Sequence, residues 1–251
     1  MNELKLLFDL HGDGERQGPG GEEETRLAVT LSGLRGERGL KIADIGCGTG
    51  ASTLVLARAL DAQITAVDFL PGFLDRLEAA ARRDGLGARI ETLAASMDAL
   101  PFDEGSLDAI WSEGAIYNIG FETGIQAWRR FLKPGGVLAV SELTWLTAER
   151  PAELNDHWAA EYPEVATAGA KLSQLEARGY VPLGYFPLPR ACWLDTYYRP
   201  LQGRFESFLD RHDRSAAAQA VVAAEQAEIS LYERYADFVS YGYYVARKLA
   251  D

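Results

Sequence analysis

The chain is poor in cysteine, histidine, positive charge and long apolar runs, and each shortage removes a class of protein. Two cysteines, Cys47 and Cys192, stand far apart in 251 residues with no C-x-x-C pair, so neither a disulfide framework nor a metal site is expected. The three histidines, His11, His157 and His212, are isolated from one another, and each reads as a surface or structural residue. No stretch reaches the roughly 20 apolar residues of a membrane helix. The opening Met1–Asp9 carries acids and too short an apolar run for a secretory signal. The expectation is a soluble, cytoplasmic protein with reduced thiols and no membrane partner. Lys and Arg number 25 against 37 Asp and Glu, a net charge of −12, which argues against a nucleic-acid partner. No tandem basic-aromatic stretch suggests a single-strand groove.

Hydrophobic residues make up 47% of the chain, enough for a sizeable core in one domain. The expected organisation of that single domain, 1–251, has four parts: N-terminal helices and a lid (1–38), a core (39–145), helical additions (146–235) and a final strand (236–251). The segment around Leu4–Leu10 is amphipathic, and Gly12–Gly21 is a glycine-rich loop. The spacing of Leu27, Leu31 and Leu34 predicts a helix that buries that stripe.

From Leu40 strands and helices alternate. Leu40–Ile45 reads as a buried strand running into Gly46-Cys47-Gly48-Thr49-Gly50, with a helix over Ser52–Leu60. Ile64–Val67 is a second strand ending in Asp68, and Pro71 opens a helix that closes on Arg82-Arg83. Arg89–Leu93, Leu107–Trp111 and Val137–Ser141 are further strands, the last after the turn Lys133-Pro134-Gly135-Gly136. Beyond Trp145 the pattern predicts helices over Pro151–Tyr162, Ala170–Arg178, Leu194–His212 and Ala216–Tyr235, with strands at Tyr180–Phe186 and Val239–Val245. This order predicts an α/β fold, a doubly wound and mostly parallel sheet with helices on its faces.

Glycines 46, 48 and 50 stand where a buried strand turns into a helix. Side chains there would keep the backbone from a ligand, and the helix start favours a negative group. Read loosely, the run also satisfies a dinucleotide fingerprint. Asp44, two residues before the first glycine, would repel a pyrophosphate but can accept hydrogen bonds from a cationic amino-acid end, directly or through water. Asp68 can take both hydroxyls of a ribose. Ser96-Met97-Asp98, after the third strand, can read an adenine edge with Met97 on the ring; a helix N-cap is the other reading of Asp98. A sulfonium cofactor fits this set better than a dinucleotide.

The run Ala43-Asp44-Ile45-Gly46-Cys47-Gly48-Thr49-Gly50, with Val67-Asp68, Leu100-Pro101-Phe102 and Leu132-Lys133-Pro134-Gly135-Gly136, resembles the class I S-adenosylmethionine-dependent methyltransferases over at least residues 40–145. Glu15-Arg16-Gln17-Gly18-Pro19-Gly20, the stretch from Trp111-Ser112-Glu113 to Ile119-Gly120, and Ser141-Glu142 are similar to a narrower group, the UbiE-like bacterial small-molecule methyltransferases. The resemblance implies a seven-stranded sheet with its last strand antiparallel, S-adenosylmethionine as cofactor and S-adenosylhomocysteine as product. It implies cofactor contacts at Gly46, Gly48, Asp68, Met97 and Asp98. Asp44, Gly50, Phe69 and Ser96 complete the expected cofactor set, joined by Arg16 and Gln17 of a closing lid.

Glu113, at the end of the fourth strand, is expected beside the reacting methyl and the cofactor; its alternative is a hydrogen-bond anchor for the next loop. Tyr117 reads as a substrate donor or as a core tyrosine. Glu142, placed just beyond the fifth strand, is a second candidate base or ammonium partner. Trp145, Trp193, Tyr197 and Tyr198 are candidates for an aromatic or cation-binding wall. The function that follows is methyl transfer to a small molecule by a monomer or homodimer. A nicotinamide-dependent oxidoreductase and a catalytically silent cofactor-binding module are the alternatives.

Overall fold

Burial on both faces puts the first strand at the centre of a sheet in the computed structural model, which describes residues 3–250; Met1, Asn2 and Asp251 of the expected single domain lie outside the described residues. Helices α1 (Glu3–Gly12) and α2 (Glu22–Ser32) precede β1 (Leu40–Ile45), α3 (Ala51–Ala59), β2 (Ala62–Asp68), α4 (Pro71–Arg83), β3 (Ile90–Ala94) and β4 (Leu107–Glu113). Then come α5 (Phe121–Arg129), β5 (Leu132–Trp145), α6 (Ala152–Glu161), β6 (Ala166–Thr167), α7 (Ala168–Ala177) and β7 (Tyr180–Pro187). Short helices α8 (Arg190–Trp193), α9 (Arg199–Gln202) and α10 (Phe205–Arg211) lead to α11 (Ala216–Tyr235) and β8 (Val239–Lys248).

The strands follow the order β3-β2-β1-β4-β5-β8-β7. Seven strands lie along this path, as expected, and the two-residue β6 adds a short parallel pair at the far end of β5. Strands β3, β2, β1, β4 and β5 are parallel, whereas β8 runs antiparallel between β5 and β7. The order reverses beside β1, so the carboxyl ends of β1 and β4 flank the crevice where such sheets hold ligands.

Helices cover both faces, which is why β1 and β5 read as continuous apolar runs. One face packs Ile42, Leu56, Trp111, Val137 and Tyr243 beneath α2 and α3. The other packs Ile45, Ile110, Phe121, Trp128 and Leu138 beneath α5 and α7. A third core lies apart, where Leu6 and Leu10 of α1 meet Trp193, Phe208, Ile229 and Tyr232. The late elements therefore cap the sheet with their own apolar centre.

Three expectations need correction. The stripe Leu27–Leu31–Leu34 is buried only in part: Leu34 is in the core and Leu31 packs against it, but Leu27 is 43% exposed, and Thr25, Ala28, Val29 and Ser32 make the buried face of α2. Small residues let α2 approach α3, and Thr25 is drawn inward by a hydrogen bond to Glu113 described below. The single helix expected over Leu194–His212 is broken, with a π-turn at Leu194–Tyr198 and a break after Gln202. Pro200 has no N–H for the helical ladder there. Finally, β5 extends to Trp145, so Glu142 lies within the strand and not beyond it. Among the described residues no helix is long and apolar enough to cross a membrane, and both cysteines are free and buried.

Candidate active site

The turn after β1 is tied to β2, with the Gly46 and Cys47 amides donating to the Val67 carbonyl at 2.8 and 3.0 Å. Gly46 and Gly48 have φ of 72° and 54°, values that favour glycine. A Cβ on Gly46 would run into Ala115, and one on Gly48 into the Gln17 amide. Both glycines line a cavity of about 580 Å³ at the carboxyl end of the sheet, together with Ala51 and Ser52 at the start of α3. Gly50 does not line it. A Cβ there would strike Leu77, so Gly50 lets α4 pack against the turn, and its expected cofactor contact is corrected to a packing role.

Asp68 closes β2 at the cavity wall. Its two carboxylate oxygens accept from the amides of Gly48 and Leu70, each at 2.9 Å, and burial raises its pKa against those hydrogen bonds. Each oxygen keeps a lone pair for a further donor. Phe69 beside it is 71% exposed, its ring on the cavity wall. Ser96, Met97 and Asp98 also line the cavity; no helix follows Asp98, so the N-cap reading falls away. The Met97 carbonyl accepts from the Trp128 indole at 2.9 Å, which fixes this turn.

Asp44 sits beneath the turn with no exposed surface. Its Oδ2 accepts from Thr53 at 2.6 Å and Ser52 at 2.8 Å, while Oδ1 has no partner among the described residues. Burial pushes this carboxyl up to about 7. It does not form part of the wall; Ser52 stands between it and the cavity.

Glu113 is held from four directions. Oε1 accepts from Thr25 at 2.7 Å, from the Tyr243 hydroxyl at 2.9 Å and from the Trp111 indole at 3.2 Å. Oε2 accepts from Arg16 at 3.0 Å. Oε1 is saturated by three donors and Oε2 is held by the Arg16 guanidinium, so the geometry favours the anchor alternative over proton removal. The partners come from β4, α2, β8 and the N-terminal loop, none of them adjacent in sequence.

Residues 15–20 form a strap across the cavity mouth. Gln17 accepts from the Thr49 amide at 3.0 Å and donates to the Gly14 carbonyl at 3.0 Å. The Thr196 hydroxyl donates to the Gly20 carbonyl at 2.6 Å. Arg16, Gln17, Gly18 and Pro19 all line the cavity.

A second cavity of about 520 Å³ adjoins the first, sharing Gln17, Gly18, Pro19, Gly114 and Tyr117 with it. Tyr117, 43% exposed, thus stands between the two. Trp193 and Tyr197 line this second cavity, but Trp145 and Tyr198 line neither. Trp145 is packed in the third core with Arg150 4.2 Å above its ring. Tyr198 is buried behind the wall, its hydroxyl donating to Glu228 at 2.8 Å. Glu142 is also absent from both walls. It is 1% exposed and 3.8 Å from the equally buried Lys171, and burial pushes it up to about 7 despite that lysine. Its expected role as base or substrate partner is corrected to a buried ion pair.

Several wall residues gave no sequence signal. Phe8 and Phe73 flank the first cavity, edge to face at 6.4 Å, yet each reads as an ordinary apolar residue of an amphipathic helix. His157, expected to be a surface or structural histidine, is among the residues lining the second cavity.

Residues 42–136 match the family described as Methyltransferase domain. The demethylmenaquinone methyltransferase of Clavibacter sepedonicus is 34% identical over 128 residues, which cover 50% of this chain and 49% of that protein. The 27-O-demethylrifamycin SV methyltransferase of Amycolatopsis mediterranei is 27% identical over 158 residues, or 62% and 58% of the two chains. The chain spans about half or less of the length of the first such relatives, from 29% to 49%. Among solved structures, a SAM-dependent methyltransferase from Geobacter sulfurreducens in complex with S-adenosyl-L-homocysteine superposes with a TM-score of 0.83. It covers 96% of this chain and 97% of that one at 18% identity. Residues 42–136 are thus similar to a methyltransferase domain, and the chain as a whole has the fold of solved S-adenosylmethionine-dependent methyltransferases.

Proposed function

We propose that the protein transfers the methyl group of S-adenosylmethionine to a small-molecule acceptor. The observation that carries this reading is the pairing of Asp68, at the end of β2, with the open-backed turn Gly46–Gly48, above an Asp44 oxygen that has no partner among the described residues. The residues present suit the group. Asp68 takes the ribose hydroxyls, Met97 and Asp98 take the adenine, and Arg16 takes the carboxylate of the amino-acid end while held by Glu113. Asp44 acts on the ammonium from behind Ser52, through that hydroxyl or water. A pyrophosphate would meet the same buried acid, which disfavours the nicotinamide alternative.

Bound S-adenosylmethionine supplies an electrophilic methyl on a sulfonium. The chain's own part is to aim the acceptor, and oriented proximity is worth roughly 7–11 kcal/mol of barrier. The strap at Arg16–Pro19 keeps water from the junction of the two cavities, where Tyr117 stands. An acceptor held in the second cavity would meet the methyl at the junction that the two cavities share. With Glu113 engaged by four donors, the acceptor's proton leaves through another group or through solvent.

The setting is cytoplasmic, with no nucleic-acid partner, in a monomer or homodimer. Calorimetry tests the cofactor: S-adenosylhomocysteine is expected to bind and NAD(H) not to, and the reverse result would overturn the assignment. An acceptor panel read by S-adenosylhomocysteine formation tests turnover; tight cofactor binding without turnover on any acceptor would support the silent-module alternative.

A further inference from the structure

The second cavity has a chemistry of its own. Aromatic rings make much of its wall, Trp158, Tyr162, Trp193, Tyr197 and Tyr241 among them, with Tyr117 at the junction. Glu161, Glu225 and Glu228 also line it, whereas no lysine or arginine does among the described residues. Glu225 is paired with His11 at 2.9 Å. Glu228 accepts from a neutral donor, the Tyr198 hydroxyl at 2.8 Å, and burial raises its pKa, with the Tyr198 hydroxyl and His11 opposing the rise and Glu225 adding to it. We infer that this cavity receives a small organic cation, an amine or ammonium compound, as the second substrate; the inference rests on the methyltransferase reading above.

Two features point the same way. Ring faces attract cations, most strongly once water is excluded, and a carboxylate in a partly dry site is costly unless a positive charge answers it. A neutral aromatic acceptor would find the rings but would leave Glu228 without a counter-charge.

The site opens onto the cofactor cavity at Gly114 and Tyr117, so a cation held by Glu228 and the rings lies on the path to the reacting methyl. Tyr198 acts from behind: it steadies Glu228 without reaching the cavity.

The test is calorimetry on the full chain loaded with S-adenosylhomocysteine, using two cations and their neutral counterparts as probes. Choline is compared with 3,3-dimethylbutan-1-ol, and tyramine with 4-(2-hydroxyethyl)phenol. At least one cation is expected to bind about tenfold or more tightly than its counterpart. Glu228→Gln and Trp158→Leu should each shrink that gap while S-adenosylhomocysteine binds as in the parent, which also shows that the variants fold. Equal binding of cation and neutral probe, no binding of either cation, or a gap untouched by Glu228→Gln would overturn the inference. A parent protein that fails to bind S-adenosylhomocysteine would overturn the methyltransferase reading instead.

Discussion

Arg16 and Glu113 are separated by 97 residues of chain, yet Arg16 Nη1 donates to Glu113 Oε2 at 3.0 Å, with both side chains mostly buried. This pair joins the strap over the cavity to the end of β4. Removing one partner of a buried pair leaves an unanswered charge, at about 3–5 kcal/mol. Glu113→Ala is therefore expected to lower stability by about that amount in urea unfolding, and Glu113→Gln by less, because the amide oxygen still accepts. A Glu113→Ala protein as stable as the parent would show that the knot holds nothing together.

Asp68→Ala should weaken S-adenosylhomocysteine binding by roughly 1.5–3 kcal/mol, the worth of charge-assisted hydrogen bonds. Part of the loss comes from the turn itself, since Asp68 also holds the Gly48 amide. Titration calorimetry reads the effect, and unchanged affinity would take the ribose away from Asp68.

Gly48→Val places a branched side chain where φ is 54° and where Gln17 already stands. The β-branched residue is strained there, and it pushes the strap off the turn. Cofactor binding should be abolished while the circular-dichroism spectrum of the sheet persists. A folded variant with normal affinity would contradict the close approach of the ligand to this backbone.

Asp44 gives a pH dependence with a definite sign. Its carboxyl lies near 7 when buried, so below that pH it is protonated in the empty protein. A cationic amino-acid end prefers the ionised form, hence cofactor binding lowers this pKa and releases a proton. Affinity should rise with pH up to about 7 and level off above it, and Asp44→Asn should flatten the profile. Folding alone has the opposite trend at this residue. A carboxyl raised in the folded state stabilises most below the unfolded value of 3.8 and loses that contribution as pH climbs to about 7. Isothermal titrations across pH 5.5 to 8.5 separate the two effects; a flat parent profile would detach Asp44 from the ligand.

The succession of strands and helices and the first cavity were legible because local chemistry fixes them, whereas the seven-stranded sheet came from the resemblance. Leu40–Ile45 is apolar enough to be buried on both faces, the glycines that follow have positive φ, and Asp68 ends its strand next to them. The less legible parts depend on contacts distant in sequence. Nothing around Glu113 announces that Thr25 and Tyr243 will donate to it. Glu142 read as a strand-end acid because the fifth strand was expected over Val137–Ser141, whereas it runs from Leu132 to Trp145, held past Ser141 by its pairing with β8. The second cavity gave a partial signal, Trp193 and Tyr197. Its acids and His157 come from α6 and α11, and single-helix patterns do not reveal which of their faces meet.

The position of β8 between β5 and β7 has a consequence for biosynthesis. A nascent chain that has emerged through Trp145 already carries the glycine turn, Asp68 and Glu113, but lacks Tyr243 and the inner strand against which β7 pairs. Until β8 inserts, Glu113 is short of one donor and β5 presents a bare edge. An intermediate that lacks β8 is therefore expected to need shielding from aggregation at β5, and to gain ligand affinity only once that strand has inserted.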